Sequence, residues 1–483
     1  MKNTHKRTLS PQRLSAFTGG LSALLLMSAC ATSPSKPVDY TDMKIPAAWH
    51  QPSEAPLNKT AETDLSQWWT QFKDPMMDQL IQAALINNPD LNTALLNVES
   101  ARAQKGLADA ALWPSLDAGL SSDAARIDDL KESATQNSES YGARLSASWE
   151  VDLFRKQSDI LQSAEAELRA SEQDFHAAQV MLSAEVAESY LNFRSLQQEY
   201  GILTDTIAMR EQTLQIVRWQ QEAGEANVLD VQQAIVFLEQ ARTAVPSLEQ
   251  DLEESLNALA ILCGDIPGAL HDSLKTEAEL PTLPEEIYCA IPAEVLEQRP
   301  DIRAARLRIE SATADLSAAE KERLPSLTLT GSIGLDEDSL GDLLNPTELV
   351  SNLIGSLTAP IWDAGRIENQ IALEDMNLRQ KFFAYQSEVL DALSEVENAL
   401  SAIVTSAREV KMTQTATGAA RLSTTFAEFQ FEAGEVDLLS VLESQRSQLS
   451  LEQSLVSANI KQLNAHIQLY RAMGGGWSAP ATN

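Results

Sequence analysis

Gln298-Arg299-Pro300-Asp301-Ile302, with the helical run that carries it to Pro325-Ser326-Leu327, is spelled once before in the chain, as Asn88-Pro89-Asp90-Leu91 running to Pro114-Ser115-Leu116. The two copies stand 211 positions apart at both ends, and Arg155 and Arg366 keep that offset. It becomes 210 at Glu222-Ala223-Gly224-Glu225 against Glu432-Ala433-Gly434-Glu435. Solenoid repeats recur every 20 to 50 residues or so. A period this long is the duplication of a structural half, so each half should carry the same elements in the same order.

Asp74-Pro75 opens a helix with Leu80, Ile81, Ala84 and Leu85 on one face, and helix continues past Pro89 towards Trp113. Proline is suited to a helical N-terminus, where its missing N–H would be unpaired anyway. Beyond Pro114 the period changes. After a segment at Leu116–Ser122 and a polar loop, Tyr141, Ala143, Leu145, Ala147, Trp149 and Val151 alternate with Gly142, Arg144, Ser146, Ser148 and Glu150. Such alternation is strand periodicity with one apolar face. The second half repeats it at Leu327, Leu329, Ile333 and Leu335, with a partner strand around Leu353–Ile361. Two soluble hairpins would read this way, and so would strands of a membrane barrel joined by polar loops. Four strands cannot enclose a water-filled pore, so the barrel reading requires several chains to pool their strands.

Each hairpin gives way to a very long helix. From Arg155 to Glu222 there is no proline and Gly201 is a weak interior breaker. Phe193, Leu196, Tyr200, Leu203 and Ile207 form a seam at spacings of three and four, as do Val389, Leu393, Val396, Leu400 and Ile403. This is a coiled-coil pattern, and Ala164, Ser171 and Ala178 would let helices approach closely. At 1.5 Å per residue such a helix reaches about 100 Å. Return helices start near Val228, with Pro246 expected to kink the first, and near Leu438, ending at Cys263-Gly264 and Met473.

The resulting division is a signal peptide at 1–29, a proline-rich tether at 30–66, a first repeat at 67–263, an irregular linker at 264–298, a second repeat at 299–473 and a tail at 474–483. Lys2, Lys6, Arg7 and Arg13 precede an apolar run from Leu14 to Leu26, the pattern of an export signal. Met27-Ser28-Ala29-Cys30 resembles the bacterial lipobox, with Met27 where leucine is usual. That resemblance implies lipidation of Cys30, and Ala31 after it resembles the pattern sorted to the outer membrane. The chain has 36 Lys and Arg against 69 Asp and Glu, a net charge of −33 that becomes about −37 without the signal. So acidic a chain excludes nucleic acid and anionic membrane surfaces as partners. Beyond the signal no apolar run is long enough for a transmembrane helix, so entry into a bilayer would have to be as a barrel. Cys263 and Cys289 could pair in an oxidising periplasm.

Trp68-Trp69 with Phe72 and Asp74-Pro75, Arg299-Pro300-Asp301-Ile302-Arg303-Ala304-Ala305, Ile361-Trp362-Asp363-Ala364-Gly365-Arg366 and Gly474-Gly475-Gly476-Trp477 occur in order on the duplicated frame. In this the chain resembles the TolC-like outer membrane factors of Gram-negative efflux pumps, in their lipoprotein (OprM/NodT-like) branch. One departure is Asp152-Leu153-Phe154-Arg155, where the family usually has glycine between phenylalanine and arginine. The resemblance implies a mainly α fold with a small β part. Four membrane strands and long antiparallel coiled-coil helices per chain would build a trimeric α/β barrel in the outer membrane. It implies a periplasmic adaptor at the helix tips, an inner-membrane pump of the RND type and no cofactor beyond the lipid on Cys30.

Catalytic signatures are absent: there is no Gly-x-Ser-x-Gly, no Walker motif and no His-Glu-x-x-His, so the chain does not read as an enzyme. Function is expected in a bore and its closed end. Leu439 and Glu443 lie four apart on one helical face, at positions where the resemblance implies a hydrophobic constriction and an acidic ring. A buried leucine beside a surface glutamate is the plainer reading of the same spacing. Asp437, Asp230 and Glu225 would add negative field at the mouth, and Arg446 would hold the tip closed through a weak exposed ion pair. Gly224 and Gly434 supply the positive φ that ends long helices. With Glu225 and Glu435 they mark the tips where an adaptor would engage. The expectation is a passive efflux duct, with a pore-less periplasmic tether or a protein-secretion duct as alternatives.

Overall fold

The computed structural model describes residues 45–50, 57–58, 65–129, 134–284, 287–288, 292–343 and 348–477. The signal segment and Cys30 lie outside them. Strand β1 (Leu57–Asn58) and a 3₁₀ segment (Leu65–Phe72) precede helices α1 (Pro75–Asn87) and α2 (Pro89–Ala110). Strands β2 (Ser115–Asp129) and β3 (Ala134–Val151) lead into α3 (Lys156–Glu222) and α4 (Val228–Leu262). The short α5 (His271–Leu274), β4 (Ile287–Tyr288) and α6 (Pro292–Gln298) connect to the second half. That half comprises α7 (Pro300–Lys321), β5 (Ser326–Glu337), the short α8 (Leu340–Leu343), β6 (Val350–Thr358), α9 (Arg366–Glu432) and α10 (Leu438–Ala472).

The duplication holds to the residue in the helices. α2 and α7 are both 22 residues, α3 and α9 both 67, α4 and α10 both 35. Because α3 starts at Lys156 and α9 at Arg366, the offset has already become 210 at the strand-to-helix turn, not at the tips. Lys156, not Arg155, is therefore the counterpart of Arg366. Arg155 stands where Gly365 stands in the other half, and both are left-handed, at φ of 65° and 84°. The departure from the family pattern is thus absorbed by an arginine in a conformation that favours glycine. Asp152 stabilises the turn by accepting from the N–H groups of Gln157 and Ser158, at 3.0 and 2.9 Å.

Above the chain's middle, α3 packs between α2 and α7, and α7 packs on α9. Below it, α3 packs between α4 and α10, and α10 packs on α9. The seam residues Phe193, Leu203, Val389, Val396, Leu400 and Ile403 are buried. Close approach in α3 comes from Ser163, Ala166 and Ala170, which are buried, whereas Ala164, Ser171 and Ala178 are only half-buried. Ser163 and Ser311 share a hydrogen bond of 2.9 Å between α3 and α7. α4 continues through Pro246.

The main core lies where the halves meet. Trp68 stacks on Tyr470 at 5.5 Å between ring centroids, and Phe72 and Trp69 meet Trp68 edge-on. Burial pushes the Tyr470 phenol up to about 12, and its hydroxyl donates to Gln71 at 2.7 Å. Each half closes on the residue before the proline that opens its 22-residue helix. Asn88 caps α2, accepting from the N–H groups of Asp90 and Leu91, and its Nδ2 donates to the carbonyl of Leu262, the last residue of α4, at 2.9 Å. Arg299 Nη1 makes the equivalent bond to Ala472, the last residue of α10, at 2.8 Å. Burial would lower the pKa of Arg299, but Asp301 and Glu395 outweigh it and raise the value. Gly264 and Gly474 follow the two return helices with φ of 74° and 75°. A Cβ on Gly264 would sit 2.4 Å from the Asn87 carbonyl oxygen.

Segments read as irregular are partly built into this core. Trp49 is buried in it, the His50 N–H donates to Glu397 at 2.6 Å, and β1 pairs in parallel with β4. Leu274 of α5 is fully buried, so the linker at 264–298 is ordered in part by apolar contact. The tail is tied down beyond residue 474: Gly476 N–H donates to Leu65 O at 2.8 Å, Trp477 stacks on His176, and the Arg303 guanidinium also lies over the Trp477 ring. Cys263 is a free, buried thiol whose pKa burial pushes up to about 11. Its prospective partner Cys289 lies outside the described residues.

The double role of Asn88 predicts a graded series. Asn88→Ala should lose about 1 to 2 kcal/mol through the cap and the bond to Leu262. Asn88→Ser keeps a capping oxygen without placing a charge against the Leu262 carbonyl and should lose less. Thermal unfolding followed by circular dichroism would rank the three proteins; equal midpoints would remove the latch from the account.

Candidate functional site

Two regions carry no intrachain explanation: the sheet and the helix tips. The sheet has the order β2-β3-β5-β6, all antiparallel. Its register is informative. Leu116, Ala118 and Leu120 stand opposite Ala147, Leu145 and Ala143. Ala143, Leu145, Trp149 and Val151 stand opposite Leu335, Ile333, Leu329 and Leu327, and Leu327 stands opposite Leu357. All four apolar sets therefore share one face. Ser115, Asp117, Arg144, Ser146, Ser148, Glu150, Thr328, Thr330, Ser332, Asn352 and Ser356 share the other. The apolar face is uncovered: Leu120 is 84% and Leu353 80% exposed. No helix among the described residues is long and apolar enough to cross a membrane.

β2 and β3 are 15 and 18 residues, and β2 runs well past Ser122, where its own side chains stop alternating. β6 ends at Thr358, leaving Ile361 and Trp362 outside the strand and 89% and 87% exposed. Trp113, Phe154 and Trp362 are exposed at the junction of sheet and helices. Trp149, at the same level, is half-buried and donates from Nε1 to Leu112 O at 2.9 Å. Aromatic residues gather at that depth where apolar and aqueous phases meet. Trp113 and Trp362 gave no periodic signal in the sequence, but the spacing of four aromatic residues from the strand ends could have marked the belt.

At the tips, α3 and α9 stop at left-handed glycines. Gly224 N–H donates to Gln221 O at 3.0 Å and Glu225 N–H to Gln220 O at 2.8 Å; Gly434 and Glu435 repeat the pair on Phe431 and Gln430. These are Schellman closures. A Cβ on either glycine would meet nothing within 4 Å, so only the backbone conformation, at φ of 79° and 73°, demands glycine. Asp230 and Asn227 cap α4 reciprocally, and Asp437 caps α10. The hydrogen bonds from Ser440 hold the Asp437 carboxyl below its ordinary range. Both aspartates thus have a capping duty that the sequence reading did not assign.

The chain does not bring the expected gate residues together with another hairpin. Leu439 is 49% exposed, while Leu438 and Leu442, on the adjoining face, pack on Leu214, Val217, Val231 and Leu238. Arg446 pairs with Glu443 on its own helix at 2.7 Å, and both side chains are exposed. Beside these apolar contacts, buried Gln445 joins the two tips by donating from Nε2 to Thr213 at 3.0 Å, and it also donates to Glu428 of its own hairpin at 2.9 Å. Its place on the face of Leu438 and Leu442 was the available signal. Among the described residues no group of His, Cys, Asp and Glu is arranged to hold a metal ion.

A family model for outer membrane efflux proteins matches the chain twice, over residues 80–265 and 291–475. The chain belongs to this family of outer membrane efflux proteins. Each match falls on one of the two similar halves of the chain. The pyoverdine export outer membrane protein OpmQ of Pseudomonas aeruginosa is 31% identical over 475 residues, 95% of this chain and 96% of that one. The toluene efflux pump outer membrane protein TtgF of Pseudomonas putida is 30% identical over 441 residues, 90% and 89% of the two chains. Among solved structures, the outer-membrane channel OprN superposes with a TM-score of 0.83 at 27% identity, covering 90% of this chain and 98% of that one. The open state of the Neisseria gonorrhoeae MtrE channel gives 0.76 at 27% identity, covering 91% and 100%. This efflux protein therefore has the duplicated TolC-like fold, in a family of transport channels rather than enzymes.

Because only φ constrains the tip glycines, Gly224→Ala and Gly434→Ala should each destabilise their tip by about 1 kcal/mol or more, and Gly→Asn by less. Hydrogen exchange at the amides of Glu225 and Glu435 should quicken in the alanine variants. Unchanged protection would contradict the assignment.

Proposed function

We propose that this efflux protein is a homotrimeric, passive duct that completes a tripartite pump exporting small molecules from the periplasm across the outer membrane. The observation that carries this reading is the sheet register, which puts one continuous apolar face on a structure with two open edges. Three copies would supply twelve strands, enough for a water-filled barrel. The helices support the same assembly. α9 lies at one end of both helical layers, with α2 or α4 at the other. α9 carries exposed Leu373, Phe383, Leu390, Met412, Leu422 and Phe426, and the opposite edge carries Leu96, Leu107, Val236 and Ile261. Exposed apolar stripes of this extent mark surfaces that bury against a partner. A pore-less tether would need neither the sheet face nor these stripes.

In this reading a signal peptide at 1–29 is removed and Cys30 is lipidated, which adds an anchor to the barrel. The tips at Gly224-Glu225 and Gly434-Glu435 receive a periplasmic adaptor that docks on an inner-membrane pump of the RND type, the source of energy. Threefold symmetry brings three copies of Leu439 and Glu443 to the axis, a ring that excludes water beside a ring of carboxylates, with Asp437 and Asp230 near the mouth. The Arg446–Glu443 pair tempers that charge. Being exposed, it contributes about 0 to 1 kcal/mol, small enough for an adaptor to overcome.

Purified protein should be trimeric in detergent and form discrete channels in planar bilayers. Arg446→Glu should raise the closed-state conductance while changing thermal stability by less than about 1 kcal/mol. A wild-type protein without channel activity would refute the duct. An unchanged closed-state current in the variant would refute the role of Arg446 alone.

A further inference from the structure

The polar face of the sheet, which also carries Val350 and Ile354 of β6, holds one cation among the described residues. Arg144 is central in β3, flanked across the hydrogen bonds by Gly119 of β2 and Gly334 of β5. Its next neighbours on that face are Gly142 and Ser146, with Ser121 and Ser332 beyond them across the strands. The small neighbours are a steric demand on one side: a Cβ on Gly334 would come within 3.1 Å of the Arg144 Cα and 3.2 Å of its Cβ. Asp117 and Asp336 occupy the diagonal positions, and neither comes within ion-pair distance. The guanidinium is exposed. By contrast Lys156, at the base of the same strand pair, is paired to Glu150 at 2.8 Å. Among the described residues Arg144 is the only cation on the polar face of the four strands, in a chain of net charge −33.

We infer that Arg144 is a specificity-determining residue of the duct, a binding step for the anionic groups of exported solutes at the level of the membrane. This rests on the duct reading, which turns the polar face towards the lumen and repeats Arg144 three times around it. An acidic conduit repels carboxylates and phosphates. A guanidinium with free donors and no covering side chain binds such groups bidentately. Threefold repetition in a zone of mostly small side chains would let more than one arginine reach a multivalent anion at once.

The test is block of single-channel current by hexacyanoferrate(III), a trivalent anion, added to the compartment facing the barrel. Wild-type channels should be blocked at concentrations at least tenfold below those needed for Arg144→Ala, with Arg144→Lys in between and closer to the wild type. Equal block of wild type and Arg144→Ala would overturn this inference and leave the duct intact. Absence of channels from the wild type would instead overturn the duct, and this inference with it.

Discussion

The constraint on which the rest depends is hydrogen bonding at the outer edges of β2 and β6. A sheet whose apolar face meets hydrocarbon cannot leave a row of N–H and C=O groups unpaired, because lipid offers them nothing. Among the described residues β2 pairs only with β3, and β6 only with β5. In the proposed assembly, closure of the sheet on copies of itself would answer the constraint, and α2, α4 and α9 end the helical layers within the chain. The long helices would then extend that closure about 100 Å from the sheet.

Duplication makes this economical. One half presents a first strand and a second strand, and the β3–β5 junction shows how the second strand of one half receives the first strand of the next. The two halves use different chemistry for the same latch. An asparagine amide reaches the Leu262 carbonyl in one, and a buried guanidinium reaches that of Ala472 in the other. The arginine version also gathers Asp301 and Glu395, at 2.6 Å each. It thereby ties α9 to the start of α7 at the level where the aromatic core lies. The first half has no such ion pair at Asn88, so the second half carries the stronger electrostatic clasp.

Much of this was legible in the residues. The offset of 211 exposed the duplication, alternation exposed β3 and β5, and Gly224 and Gly434 marked the turns. The rest was hidden for identifiable reasons. Asp123 to Asp129 extend β2 because β3 offers partners, not because their side chains alternate. The offset slipped at Arg155, where an arginine takes a glycine conformation that no propensity suggests. Trp477 is ordered by contact with His176 and Arg303, far away in sequence. At the tip the doublet Leu438-Leu439 left the buried face undecided, since only the neighbouring hairpin selects Leu438 and Leu442. The sites proposed to act in an assembled duct are the least legible, because one chain would not contain their partners.

The internal junction supplies the measurement that tests interchain closure most directly. Ser146 of β3 stands opposite Ser332 of β5. The hairpin registers make Ser356 the repeat counterpart of Ser146, and Ser121 that of Ser332. Ser356 of one copy should therefore face Ser121 of the next. Oxidation of the Ser121→Cys/Ser356→Cys double variant in membranes should yield covalent dimers and trimers on non-reducing gels, while each single variant stays monomeric. A double variant that inserts into the outer membrane yet remains monomeric after oxidation would contradict closure of the sheet between chains.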